Sequence, residues 1–217
     1  RRRRSARRYR ARLMPAPASW AGLWDSRLAG KITMLSDPFD VFGACMKRLG
    51  YSINSENEKE LRLAAQEELR QKPLLRAYLN AEVRDQLVSG DVLAAQMWNT
   101  TAQQAIDESE NVRFVYPSEG YAVYPDSAVL LRESRHLEAA HQFLNFLLRP
   151  DIAAANAIAA RTTTTNAGAR QLLPAGFRDN PTLYPPPEVE ARGEWARTMS
   201  PSTQRLRDRL WTEIKAS

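Results

Sequence analysis

The sequence predicts an α/β fold, and three observations carry that expectation. Short runs of β-formers at Lys31–Leu35, Val92–Trp98, Val112–Tyr116 and Tyr121–Leu131 are bounded by Gly, Pro, Asn and Ser. Between and after them lie stretches with apolar residues at helical spacing, such as Leu61, Ala64, Ala65 and Leu69. Strands alternating with helices give a largely parallel sheet. No internal repeat interrupts the pattern.

Taken in order, residues 1–18 are first Arg-rich and then Pro/Ala-rich, and are expected to be a disordered tail. The tail carries the charge. Of the net +6, eight Arg fall in residues 1–12, and the remaining chain holds 23 basic and 25 acidic residues. Trp20–Leu28 reads as a short amphipathic turn of helix, and Lys31–Leu35 as a strand. Ser36-Asp37-Pro38-Phe39-Asp40 opens a helix with a capping residue, a proline at the first position and an acid in the first turn. That helix runs to about Leu49 and stops at Gly50. Helices are expected over Asn57–Gln71, Ala81–Ser89 and Thr100–Ser109. After the central strands, His136–Leu148 is an amphipathic helix, broken by Arg149-Pro150 before a small-residue helix over Asp151–Ala160. Asn166 is placed to cap the next one. Asn180–Pro187 reads as extended, Val189–Arg197 and Pro201–Lys215 as terminal helices.

Composition excludes several classes. At 217 residues the chain holds one large or two small domains. No apolar run approaches the roughly 20 residues that span a bilayer, so no membrane insertion is expected. The single Cys45 lies in the apolar stretch VFGACMKRL, where a buried core thiol is the plain reading. One cysteine makes no intrachain disulfide and no multi-cysteine metal site. His136 and His141 are five apart and do not share a helix face as a metal pair would. Gly-rich phosphate loops and G-x-S-x-G are absent. No cofactor is expected, and no enzyme: Asp37 and Asp40 could form an acid/base pair, but no nucleophile or electrophile accompanies them. The Arg run could attract nucleic acid electrostatically, yet only Tyr9 interleaves with it, so no specific nucleic-acid partner is expected. No apolar segment follows the basic residues as in a secretory signal.

The residues richest in chemistry sit at the ends of the β-runs. Trp98, Tyr124 and Asp126 offer two aromatic faces and one anion, a set that suits a cationic ligand. Pro125-Asp126 falls where a buried strand should have neither residue, which puts Asp126 at a chain crossing or cavity wall and makes it the leading ammonium anchor. A lobe-crossing hydrogen bond is its competing role. Trp98 and Tyr124 read equally as core aromatics. Asp37 and Asp40 are accounted for at a helix start, where acids satisfy backbone N–H groups and complement the dipole. Glu119, in the Pro-Ser-Glu-Gly turn, reads as solvated.

Several stretches resemble the bacterial spermidine/putrescine-binding proteins, the periplasmic solute receptors of polyamine ABC transporters. They are WAGLWDSRLAGKITMLSDPFDVFGACMKRLGYSIN, SGDVLAAQMWN, HLEAAHQFLNFLLRPDIAA, TTTTNAGARQLL and DNPTLYPPPEVEARGEW, in order over about residues 19–217. The resemblance implies a type II periplasmic-binding fold, two α/β lobes around a hinge with the ligand clamped between them. It implies a polyamine ligand, a membrane permease of an ABC transporter as partner, and a periplasmic location. It places Asp37, Asp40, Trp98, Tyr124 and Asp126 in the substrate cleft, with Tyr124 where the family often has Trp. Two positions depart from the family pattern: Thr162 replaces a cleft aromatic, and Ala196 replaces a polar residue after Trp195. It further implies that most of the first lobe is missing, by truncation or frame shift. Residues 19–125 and 171–217 would then form one complete lobe, and 126–170 a remnant of the other.

Overall fold

A computed structural model describes residues 18–217 of the chain. The expectation of a disordered tail therefore lies outside the described residues, except at Ala18. The central sheet has three parallel strands in the order β2-β1-β3: β1 is Ile32–Met34, β2 is Leu75–Tyr78 and β3 is Ala94–Ala95. Helices α1 (Pro38–Arg48), α2 (Glu58–Gln71) and α3 (Val83–Ser89) alternate with them, and α4 (Asn99–Glu108) follows β3. A second, two-stranded parallel sheet pairs β4 (Tyr121–Val123) with β5 (Gly193–Trp195). Between these lie α5 (Leu137–Leu147), α6 (Pro150–Ala160), α7 (Ala167–Leu172), α8 (Ala175–Arg178) and α9 (Pro187–Glu190). The terminal α10 (Pro201–Ala216) packs on α2.

The helix starts are written in the sequence. The Asp37 carboxylate accepts from the N–H groups of Phe39 (2.8 Å) and Asp40 (3.2 Å), with Pro38 following it. Asn57 caps α2, Asn166 caps α7 and Ser200 caps α10 in the same way. The expected helix over Asp151–Ala160 forms as α6 and ends at Arg161, whose φ of 57° is left-handed.

Two core clusters join around the central sheet. One gathers Phe42, Cys45, Met46, Leu61, Leu210 and Ile214; the other gathers Leu23, Ile32, Met34, Val41 and Ala94. Trp24 and Trp211 pack against both. Cys45 is fully buried, as its apolar setting suggests. Its burial raises the thiol's pKa, so the thiolate is suppressed. A separate small cluster of Ala154, Ala157, Ala169 and Leu173 holds α6 on α7. Helix α5 has no buried residue, and Phe143 and Phe146 stand exposed on it.

Several expectations fail for identifiable reasons. Trp20–Leu28 forms two 3-10 turns, Trp20–Trp24 and Ser26–Leu28, rather than one helical turn. Only Ala94–Ala95 of the Val92–Trp98 run enters the sheet, and Trp98 instead occupies the position just before α4. Val112–Tyr116 forms no strand pairing among the described residues, and the run from Tyr121 is strand only as far as Val123. The partner β5 has three residues, and Pro125 cannot donate to a ladder. Strand β2, a short Leu-Arg-Ala-Tyr run after Pro73, carries no alternation and was not expected. Val189–Arg197 is a short helix and then a strand, because its glycine serves the sheet. A Cβ on Gly193 would lie 2.7 Å from Val123 Cγ2, so only glycine lets β5 approach β4.

Glu194 ties this small sheet to the larger body. Its carboxylate meets the Lys47 ammonium and accepts from Ser52 Oγ, the Ile53 N–H (3.3 Å) and Asn54 Nδ2 (3.0 Å). Asn54 in turn donates to the Trp195 carbonyl (2.9 Å) and accepts from the Arg197 N–H (2.8 Å). Glu194→Ala strands all four donors and is expected to lower unfolding free energy by about 2–3 kcal/mol. A urea melt checks this, and an unchanged midpoint with unchanged slope would show that the clamp carries no stability.

Candidate functional site

The first turn of α1, the residue before α4 and the end of β4 meet at one point. Asp40 is 8% exposed, and its Oδ2 accepts from Trp98 Nε1 at 2.9 Å. The Tyr124 hydroxyl donates to the same carboxylate, 3.2 Å from Oδ2 and 3.4 Å from Oδ1. Phe39 presents its ring edge-on to Tyr124, with centroids 5.8 Å apart. Behind Phe39 lies the buried Arg207 of α10, its guanidinium 5.4 Å from the Phe39 ring and 5.7 Å from Phe42.

These positions follow from local structure. Asp37 takes the capping role alone, which frees the Asp40 side chain, one turn into the helix, to face the groove. Trp98 has no side-chain capping bond to make at the start of α4, so its indole reaches across to Asp40. Pairing of β4 with β5 carries Tyr124 alongside α1.

Burial pushes the Asp40 pKa up to about 6, helped by the nearby Asp37 charge and opposed by the bonds from Trp98 and Tyr124. The Tyr124 hydroxyl is also pushed up, by burial and by the Asp40 charge. Arg207 is shifted down to about 10 by burial, against the pull of Asp208 and Asp37, and so remains charged at neutral pH.

The five residues singled out in the sequence all line one open groove of about 2450 Å³. That is well beyond the ~300–1,000 Å³ of a closed small-molecule pocket. Asp40, Trp98 and Tyr124 are in contact. Asp37 is spent on the helix start. Asp126 is exposed and makes no hydrogen bond or ion pair among the described residues, so its competing role, a lobe-crossing bond, does not appear among them. Glu119 is not merely solvated: it accepts from Ser19 Oγ, the Trp20 N–H (3.3 Å) and Ser118 Oγ (2.9 Å). Sequence reasoning missed Phe39 and Arg207. The Asp-Pro-Phe-Asp spacing could have given Phe39, whereas Arg207 lies in a helix rich in charge and shows no local signal. Thr162 hydrogen-bonds Thr100 across 2.9 Å, which joins the segment after α6 to the first turn of α4. Among the described residues no group of His, Cys, Asp or Glu could hold a metal ion.

Residues 8–178 match the family model of bacterial extracellular solute-binding proteins. The chain belongs to that family. It is 30% identical over 198 residues to the spermidine/putrescine-binding periplasmic protein of Escherichia coli, covering 91% of this chain and 57% of the relative. The putrescine-binding periplasmic protein PotF of the same organism is 29% identical over 192 residues, covering 85% and 52%. Among solved structures, a spermidine/putrescine ABC transporter protein from Listeria monocytogenes superposes with a TM-score of 0.87 at 26% identity, covering 91% of this chain and 61% of that one. The fold is thus of the type II periplasmic-binding class, as the resemblance implied. The chain spans a little over half the length of these curated relatives.

Proposed function

We propose that the groove is one wall of a polyamine-binding cleft in a periplasmic solute receptor that delivers its ligand to the permease of an ABC importer. The carrying observation is the Asp40 carboxylate held between an indole and a phenol at the edge of an open groove. A polyamine presents ammonium groups separated by methylenes. Taking it out of water calls for carboxylates against the ammoniums and aromatic faces against both charge and methylenes. Asp40, Trp98 and Tyr124 supply that chemistry, with Asp126 exposed on the same groove as a second anion. Arg207, the basic side chain behind Phe39, is 2% exposed and is not presented to an anionic solute. Nothing in the constellation activates a nucleophile, in keeping with a family that binds solutes. Residues 126–170, which carry α5 and α6, fit the reading as part of the facing wall.

Because the groove is open, ion pairs at its rim are worth only about 0–1 kcal/mol each. That is too little to offset the rigid-body entropy of binding. Residues 1–217 are therefore expected to bind spermidine only in the millimolar range. The indole N–H resonance of Trp98 is a probe that works at such affinities. Spermidine and putrescine should shift it, and glutamate and maltose should not. A shift with glutamate or maltose and none with either amine would overturn the reading.

A further inference from the structure

The run Val92–Trp98 is apolar except at Gln96. An amide costs free energy to bury unless its polar ends are bonded, and a methionine of nearly the same length carries no such cost. Gln96 is nonetheless 6% exposed. Its main-chain N–H donates to the Thr33 carbonyl at 3.0 Å, which fixes it to β1 just past the end of β3. Its side chain crosses to α1. There Nε2 donates to the Asp40 carbonyl at 2.7 Å, while Oε1 accepts from the Leu35 N–H at 3.4 Å. Leu35 follows directly on β1. One carboxamide therefore ties together the carboxyl ends of β1 and β3 and the first turn of α1.

That place is where the sheet divides. In the order β2-β1-β3, the chain leads from β1 through α1 and α2 to β2 on one side, while β3 lies on the other. In parallel α/β sheets a crevice opens outside the carboxyl ends of the strands at such a point. Gln96, Asp40 and Trp98 all line the groove there. Two residues beyond Gln96, Trp98 Nε1 donates to the carboxylate of the same Asp40 at 2.9 Å. One short segment thus grips Asp40 twice, at its main-chain carbonyl through Gln96 and at Oδ2 through Trp98. A helical carbonyl has a second lone pair to offer, so the Gln96 bond is not needed to complete α1. What it adds is a fixed separation between α1 and the segment that carries Trp98.

We propose that Gln96 is a positioning residue of the cation site, holding the first turn of α1 against β3 so that the Trp98 indole meets the Asp40 carboxylate. Its consequence for binding rests on the reading of Asp40 and Trp98 as an ammonium site; the positioning itself is a property of the free protein. The groups that set the charge of Asp40 are Asp37 on its own helix and Trp98 and Tyr124 across the groove, with Arg207 of α10 behind Phe39. Gln96→Met exchanges one neutral side chain for another and alters none of them. A change in how Asp40 titrates then reports a change in its place.

The test is made on the full 217-residue chain. Without ligand, the Trp98 indole N–H resonance should follow the charge of Asp40, with a midpoint near pH 6. In Gln96→Met the resonance should move toward that of a solvent-bonded indole. Its midpoint should rise by about half a pH unit, because the charged carboxylate loses part of its bond from Trp98. Spermidine affinity at pH 7 should fall about threefold, the lower worth of one hydrogen bond. Gln96→Ala, which lets water reach the Leu35 N–H, should change all three in the same direction. Gln71→Met is the control. Gln71 is fully buried on α2 and donates to the Leu23 carbonyl (2.9 Å) rather than to α1. Its loss should lower the urea midpoint and leave the Trp98 resonance and its titration as in the parent. A resonance and titration unchanged by Gln96→Met, or moved as much by Gln71→Met, overturns the proposal. If both move as expected in chains that spermidine leaves unshifted, the positioning stands and the polyamine reading falls instead.

Discussion

Glu68→Gln should remove most of the loss of stability expected of this protein between pH 5 and pH 8. Glu68 lies on the inner side of α2 and is fully buried, and among the described residues neither carboxylate oxygen makes a hydrogen bond. Burial lifts its pKa from 4.5 to about 8, against the pull of the Tyr78 hydroxyl and of the Lys215 and Lys72 charges. A carboxyl whose folded pKa is raised costs nothing while both states are protonated, below about pH 4.5. As pH rises the unfolded chain ionises first, and the folded state loses ground until the buried group ionises too, near pH 8. The span of 3.5 pH units corresponds to about 5 kcal/mol at most. Glutamine keeps the shape and cannot titrate. Urea melts at pH 5, 7 and 9 should show a steep decline for the parent and a much flatter profile for Glu68→Gln. Parallel profiles would mean that Glu68 finds a counter-charge or water in the folded state.

This buried carboxyl also shows what the sequence hides. In α2, Glu67 and Glu68 look like any pair from a charged, exposed helix, and the expectation of such a helix was correct in extent. Glu67 makes ion pairs with Arg48 and Arg70, while Glu68 is covered by α10. Both acids are buried, and which of them is left without an ion pair depends on a helix more than a hundred residues away. Local signals did better wherever a local bond decides. Caps such as Asp37 and Asn166 were legible because each satisfies N–H groups two or three residues on. The small sheet was not, since β4 and β5 are three residues each and exist only because Gly193 lets them approach.

The candidate site divides along the same line. The family resemblance placed Asp40, Trp98 and Tyr124 in the cleft, yet the division of labour between Asp37 and Asp40 needed the helix geometry. Sequence alone favoured Asp126 as the principal anion, because both Asp37 and Asp40 could be explained at a helix start. The structure gives that task to Asp37 only. Asp126 stands exposed, where its charge is screened by water.

Asp40→Asn is accordingly expected to weaken spermidine binding far more than Asp126→Asn, the reverse of the order that sequence position suggests. Asp40 is buried, and its charge acts through a low-dielectric wall formed by Phe39, Trp98 and Tyr124. With binding only millimolar at the outset, losing this buried partner of the cation should cost on the order of 2 kcal/mol, the lower end of the usual range. Asparagine can still accept from Trp98 with its carbonyl, so the fold around it should survive. An exposed partner such as Asp126 should cost no more than about 1 kcal/mol. Acid should mimic the first substitution: with its pKa near 6, Asp40 is charged above that pH and neutral below it. Spermidine affinity should therefore fall as pH drops from 7 to 5 in the parent and in Asp126→Asn, and stay low and flat in Asp40→Asn. Titrations followed at the Trp98 indole resonance at pH 5, 6 and 7 read all three chains. Equal losses from the two substitutions, or a pH dependence that survives Asp40→Asn, would move the ammonium contact elsewhere in the groove.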